Sequence, residues 1–139
     1  MTYLLAILTG VAITVLAQIG IRYILDPIQA YKLTRASISF DLDFHAAIWS
    51  NPGIAKQQLI EEAQIKFRAA AMQLRTQPRL ILFYRVVARF AKFPDIKDVN
   101  NASRLLIGLS NSLHRGDGLS NGERVDEILN LLGLPKRID

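Results

Sequence analysis

Residues 3–21 read YLLAILTGVAITVLAQIGI, an apolar run of nineteen residues without one charged side chain. At about 1.5 Å of rise per residue, such a run covers roughly 28 Å as a helix, close to the ~30 Å hydrocarbon core of a bilayer. Arg22 follows at once, and its long side chain can extend to the lipid headgroups. The stretch predicts a single transmembrane helix, with residues 1–25 as the membrane segment and residues 26–139 as a helical domain outside it.

A cleaved signal peptide is the alternative interpretation of an apolar N-terminal run. Met1 and Thr2 carry no basic side chain, and the run exceeds the usual apolar length of roughly 7–15 residues. No clear small-x-small cleavage site precedes a polar stretch. The sequence therefore favours a retained anchor over a cleaved leader.

The positions of the basic residues predict how the anchor is oriented. All 17 Lys and Arg residues lie at or beyond Arg22, and Lys32 and Arg35 follow closely behind the apolar run. By the positive-inside rule, the N-terminus faces outward and the domain is cytoplasmic. We expect Arg22, Lys32 and Arg35 to contact lipid headgroups.

One face of the apolar run carries a small or hydrogen-bonding side chain at every fourth position, and we call this face the ridge. Its members are Ala6, Gly10, Thr14 and Gln18. Small residues let two membrane helices approach closely, and an amide such as that of Gln18 needs a hydrogen-bond partner in hydrocarbon. Gly and Ala are also common in isolated spans, so a monomeric anchor is the alternative. The amide favours self-association, and we expect the ridge to form a membrane helix contact.

The composition of the chain narrows the classes of function. About 118 residues follow the apolar run, enough for one small domain with a modest core. The chain has no cysteine, which excludes disulfides and thiolate chemistry. A net charge of +5 fits attraction to an anionic bilayer. Nucleic acid is not an expected partner, because the basic residues are scattered and no stacking aromatics accompany them.

Two long segments carry apolar side chains at helical spacing, each giving one face for burial. In residues 54–77 this stripe consists of Ile60, Ala63, Phe67, Ala70, Ala71 and Leu74. In residues 95–114 it consists of Val99, Ala102, Leu105, Leu106, Leu109 and Leu113. Ser120 with Glu123 predicts a capping box at the start of a last helix. The sequence thus predicts an all-α fold, in which an N-terminal transmembrane helix is followed by a small cytosolic bundle of four or five helices.

Residues 38–45 alternate apolar and polar side chains, which is the pattern of a half-buried strand. A lone strand has no partner for its backbone hydrogen bonds, so we interpret residues 27–49 as helix. Asp26 followed by Pro27 predicts the start of that helix, since Asp is a preferred N-cap and Pro a preferred first residue. We expect the chain to bend or restart there.

The segment 78–93 is apolar apart from one basic stripe. Arg85, Arg89 and Lys92 follow one another at helical spacing and share one side of the predicted helix. Such a segment is either a central core helix with one solvated edge or an interfacial helix that lies on lipid. A small bundle needs one well-buried member, so the core interpretation is favoured.

Asp41, Asp43 and His45 form the tightest cluster of titratable side chains. Residues two apart on a helix point about 200° from each other, so Asp43 faces away from the other two. An Asp–His pair alone is a weak set of metal ligands. We interpret the three as solvated polar residues, and we expect neither a metal ion nor a cofactor.

Three small polar residues, Ser110, Asn111 and Ser112, interrupt an apolar helix, and His114 shares a face with the first of them. They either contact a partner subunit or occupy the outward face, and we take all four as candidate partner contacts. The spacing of helical ribonucleases, phosphate loops and calcium loops is not met. No catalytic residue is therefore expected.

Residues 25–29 read LDPIQ, residues 50–52 read SNP and residues 106–112 read LIGLSNS. Together these stretches resemble a group of small single-span bacterial and phage inner-membrane proteins without an assigned activity. The resemblance implies a bacterial inner membrane and a helix over residues 27–49, and it carries over no chemistry. The layout of a span followed by a small helical body also resembles membrane-acting antiviral effectors.

The function that these features predict is that of a non-enzymatic, membrane-anchored protein acting through assembly. It would be a homo-oligomer or an accessory subunit of a larger membrane complex. The alternative is an oligomeric membrane-perturbing or pore-forming effector, in which Thr14 and Gln18 line a polar path. A hydrolase or nuclease on the cytosolic face is a third interpretation.

Overall fold

The computed structural model describes residues 1–135, and every regular element in that range is a helix. The prediction of an all-α fold is confirmed. Residues 136–139, which close the predicted domain, lie outside the described residues. The helices are α1 (Thr2–Gly20), α2 (Asp26–Phe44), α3 (Ala46–Ser50), α4 (Gln57–Leu80), α5 (Tyr84–Ala91), α6 (Ile96–Ser112) and α7 (Gly118–Leu131), with a π-helical segment (Ile21–Leu25) between α1 and α2.

The first two helices and the π-helical segment form one unbroken helix, Thr2–Phe44. The α-helical part does begin at Asp26, but the prediction that Asp26 caps a bent or restarted helix is wrong. Leu25 and Asp26 both have right-handed helical backbones, and the Asp26 N–H donates to the Ile21 carbonyl. Pro27 has no N–H, and its ring crowds the preceding turn. We attribute the continuity to the wider π turn just before it, which takes up that misfit.

The core of the body lies where α4 packs against α6, with α2 on one side of this pair and α7 on the other. The whole predicted stripe of α4 is buried, as is that of α6 except for the half-buried Leu105. Small residues let these two helices approach closely, and the Ser103 hydroxyl donates to the Ala71 carbonyl across the contact at 2.8 Å. The periodicity of these two segments therefore located the core.

Aspartate residues cap the N-termini of the last two helices, α6 and α7. At α7 the aspartate takes the place of the expected serine. Asp95 accepts a hydrogen bond from the Ile96 N–H at 2.6 Å. Asp117 accepts from the Ser120 N–H at 3.1 Å, so α7 begins three residues before the predicted capping box and Ser120 lies within its first turn. The prediction of a cap at Ser120 is wrong because the competing aspartate reaches the same orphan N–H groups.

Helix α5 is peripheral, which corrects the interpretation of residues 78–93 as a central core helix. Within α5 only Tyr84 is buried. Residues 78–80 belong to the end of α4, because a proline in the last turn removes only one hydrogen bond. The centre of the body is occupied by α4 and α6, and α5 lies at its edge.

Candidate membrane-facing site

The apolar half of the long helix, residues 2–25, is called the anchor after its predicted role. It makes no buried contact with the body. Its most apolar window has a mean hydropathy of 2.3 and is 0% buried. The helix is therefore long and apolar enough to span a membrane. Its side chains point outward on every side, unlike those of a core helix in a soluble protein.

The four ridge residues are all exposed on the anchor. A Cβ atom added to Gly10 would meet nothing within 4 Å, so the ridge is open at its centre. The Thr14 hydroxyl donates to the Gly10 carbonyl at 2.9 Å, so its proton is already used within the helix. Among the described residues, Gln18 has no hydrogen-bond partner for its side chain. Self-association through this face stays a prediction.

The three basic residues expected at lipid headgroups take two different positions. Arg22 and Lys32 are exposed, but Arg35 is half-buried and turned into the body. Its guanidinium donates from Nη2 to the Leu132 carbonyl, and it lies 5.5 Å from the centre of the Phe93 ring. The prediction of headgroup contact is wrong for Arg35, because the C-terminal end of α7 captures it.

Three aromatic rings connect α5 to the N-terminal part of α2. The centre of the Tyr31 ring lies 5.0 Å from that of Phe93 and 6.1 Å from that of Tyr84, both in edge-to-face arrangements. The Tyr84 hydroxyl donates to the Pro94 carbonyl at 2.7 Å, and burial raises the pKa of Tyr84. This cluster fixes α5 beside the part of α2 that is nearest to the anchor.

The outer side of α5 and the pocket beside it were not among the predicted site residues, although an interfacial helix was the alternative interpretation of this segment. Large apolar side chains are exposed there: Leu82, Phe83, Val86 and Phe90. A surface pocket of about 730 Å³ adjoins them, lined in part by Arg85, Arg89 and Lys97. The signal was present in the sequence, because the apolar and basic residues of this segment each recur at helical spacing on different sides.

The Asp41, Asp43 and His45 cluster does not converge on one point. His45 is only 3% exposed, and its ring packs edge-to-face against those of Phe44 and Phe67. Asp41 pairs instead with Lys66 at 3.8 Å. Within residues 1–135 no group of three potential ligands could hold a metal ion. The prediction of a solvated side chain is wrong for His45, which fills a gap between aromatic rings.

Burial of His45 predicts an acid-sensitive body. Burial, followed by the nearby Lys66, lowers the pKa of His45. The unfolded chain therefore binds a proton at His45 more readily than the folded chain does. The contribution of buried, neutral His45 to stability is complete above about pH 6.5 and is lost as the pH falls below that value. His45→Phe keeps a ring between its neighbours and should flatten the dependence of the unfolding midpoint on pH below about 6.5. Urea unfolding of the detergent-solubilised chain at several pH values measures this.

His114, the only other histidine, supplies the control. His114→Gln removes one histidine and leaves His45 in place between its aromatic neighbours. A wild-type slope that persists in His45→Phe would assign the acid sensitivity to other groups.

The four candidate partner contacts lie mostly within the body. Ser110 is fully buried, and its hydroxyl donates to the Ile107 carbonyl at 2.8 Å and accepts from Arg68. Ser112 donates to the Asn121 side chain, while His114 is half-buried in the turn after α6. Only Asn111 is exposed, and its side chain accepts from Arg68 at 2.9 Å. Internal packing accounts for these polar residues, and partner contact stays a prediction for Asn111.

The fold defines a class of protein, a small all-helical body at the end of one long helix with an apolar, exposed N-terminal half. No protein family matches the chain, and no curated protein or solved structure is significantly similar to it.

Proposed function

We propose that this chain is a non-enzymatic, membrane-anchored protein that acts through assembly, as a homo-oligomer or as an accessory subunit of a membrane complex. The observation that carries the proposal is the unbroken helix Thr2–Phe44. One half exposes apolar and small side chains together with the amide of Gln18, and the other half supplies Tyr31, Ile38 and Leu42 to the core of the body. A helix built in this way holds a folded domain at a fixed distance from a bilayer.

The proposed location is the bacterial inner membrane, with the N-terminus outside and the body in the cytoplasm. The support is the absence of Lys and Arg before Arg22 and the abundance of both after it. Assembly is favoured over a polar pore, because the Thr14 hydroxyl is satisfied within its own helix and a pore lining needs polar groups that face water.

The ridge encodes the proposed assembly, which makes it testable by substitution. Gly10→Ile fills the open centre and should prevent close approach of two helices, while Gln18→Leu removes the amide without changing the apolar length. An interhelical hydrogen bond in a membrane contributes about 0.6–2 kcal/mol, so Gln18→Leu should lower the association constant roughly three- to thirtyfold. Crosslinking of the full chain in membranes, or a membrane two-hybrid assay, measures the change.

Ile19→Leu is the matched control, since Ile19 is 48% exposed on the anchor and lies on the side of the helix away from the ridge. Lipid and leucine are equally apolar, so this variant should associate as the wild-type chain does. Equal association of all three variants would contradict assembly through the ridge.

A further inference from the structure

Helix α5 presents an apolar face to the solvent that nothing in the described chain covers. Phe83, Val86 and Phe90 follow one another at helical spacing and are 81%, 55% and 83% exposed. Phe83 also has a left-handed backbone, with φ of 54°. A bulky residue rarely adopts this conformation, and such strain persists where the surroundings require it. Phe83 therefore combines a strained backbone with an exposed aromatic side chain at the start of α5.

The side of α5 next to this face is basic. Arg85 and Arg89 lie one turn apart, both exposed, and with Lys97 they line the pocket of about 730 Å³. Residues 79–97 contain five basic side chains and one acid, Asp95. An apolar face flanked by basic residues is the pattern of a helix that lies in a membrane interface.

The position of α5 along the long helix places this face near the membrane. Tyr31, which contacts α5, lies ten residues after Ile21, the end of the apolar run, about 15 Å along the helix axis. The headgroup layer extends roughly 5–8 Å beyond the hydrocarbon core. A helix with its side chains has a radius of about 5–6 Å, so side chains of α5 on the side of the anchor can reach the outer edge of that layer.

We propose that α5 seats the body on an anionic phospholipid surface. Phe83, Val86 and Phe90 enter the headgroup layer, while Arg85 and Arg89 bind lipid phosphates at the pocket. The inference rests on the proposed anchoring, because the anchor delivers α5 to the bilayer. A lipid surface fits better than a second copy of the chain, since lipid phosphates complement the five basic side chains of residues 79–97, whereas the same segment of a second copy offers one acid, Asp95.

A fluorescent label read by lipid quenchers tests this seat in the full chain. The chain has no cysteine, so Phe90→Cys, Leu119→Cys and Ile13→Cys each accept one label. Leu119 is the matched control, because it is 82% exposed, as Phe90 is, but begins α7 beside Ser50 at the opposite end of α2. In vesicles of phosphatidylglycerol and phosphatidylcholine with brominated acyl chains, labels at 13 and 90 should be quenched, and the label at 119 should not.

The three labels distinguish an error in the proposed lipid contact of α5 from an error in the proposed membrane anchoring. Quenching at 13 with positions 90 and 119 equally unquenched would overturn the lipid seat and leave the anchoring intact. No quenching at 13 would overturn both. Protection of position 90 from aqueous iodide without quenching by lipid would identify a second copy as the occupant instead, and would also overturn the seat.

Charge variants test the role of the basic side chains. Each basic residue near an anionic surface strengthens binding about fivefold, so Arg85→Gln with Arg89→Gln should lower the docked-to-undocked ratio at position 90 roughly 25-fold. Lys56→Gln with Arg115→Gln, which removes two exposed charges elsewhere, should leave that ratio unchanged. Equal effects of the two pairs would overturn a specific seat on α5.

Discussion

Arg35→Gln should lower the free energy of unfolding of the body by about 2–4 kcal/mol. The guanidinium donates to the Leu132 carbonyl and lies 3.4 Å from the Gly133 carbonyl, at the negative end of α7. A hydrogen bond to a charged group contributes about 1.5–3 kcal/mol, and a cation over an aromatic ring adds about 0.5–1 kcal/mol. Glutamine cannot replace both contacts, because it has no charge and a shorter reach.

Lys32→Gln is the control for this variant. Lys32 lies on the same helix, one turn before Arg35, and its side chain is exposed. Loss of an exposed charge changes stability by less than about 0.5 kcal/mol. Urea unfolding of the solubilised chain, followed by the fluorescence of the buried single Trp49, measures both variants. Equal unfolding midpoints for the two variants would contradict a stabilising contact of Arg35 between α2 and the end of α7.

Lys32 and Arg35 take different positions in the structure, and the sequence does not distinguish them. Both are basic residues just behind an apolar run, and the positive-inside rule treats them alike. The partner of Arg35 is a backbone carbonyl 97 positions further along the chain. No local pattern encodes such a pairing, so the sequence alone assigned both residues to lipid.

The helices themselves and their buried faces were predictable because a helix repeats its own geometry every few residues. The stripe from Ile60 to Leu74 predicts the inward side of α4 without knowledge of the helices that pack against it. The alternation in residues 38–45 was correctly set aside, since one strand without a partner cannot satisfy its backbone.

The predictions failed where two local signals competed or where burial depended on neighbours. Asp117 and Ser120 both suit an N-cap, and only the packing of α7 against Ser50 and Trp49 decides between them. For α5, the basic stripe was recognised, but its apolar side was assigned to the core. Helix α6 already fills that position, so the apolar side of α5 is left outside.

Gly118→Ala should lower the free energy of unfolding by about 1–3 kcal/mol, the usual effect of overpacking a closely fitted contact. A Cβ atom added to Gly118 would lie 2.1 Å from the Ser50 carbonyl oxygen, so the backbone there has to move. That backbone is held in place, because the Asn121 side chain donates to the Trp49 carbonyl at 2.9 Å. The first turn of α7 and the end of α3 therefore cannot separate without loss of a buried hydrogen bond.

Gly108→Ala is the control and should have the opposite sign. Gly108 lies within α6, and an added Cβ atom would meet nothing within 4 Å. Alanine is favoured over glycine in a helix interior by up to about 1 kcal/mol, so this variant should be neutral or more stable. Far-UV circular dichroism is the better readout here, because Trp49 lies beside the Gly118 contact and its fluorescence would change with the local structure. If Gly118→Ala were as stable as Gly108→Ala, α3 and α7 would not be in the close contact that positions the far end of the body.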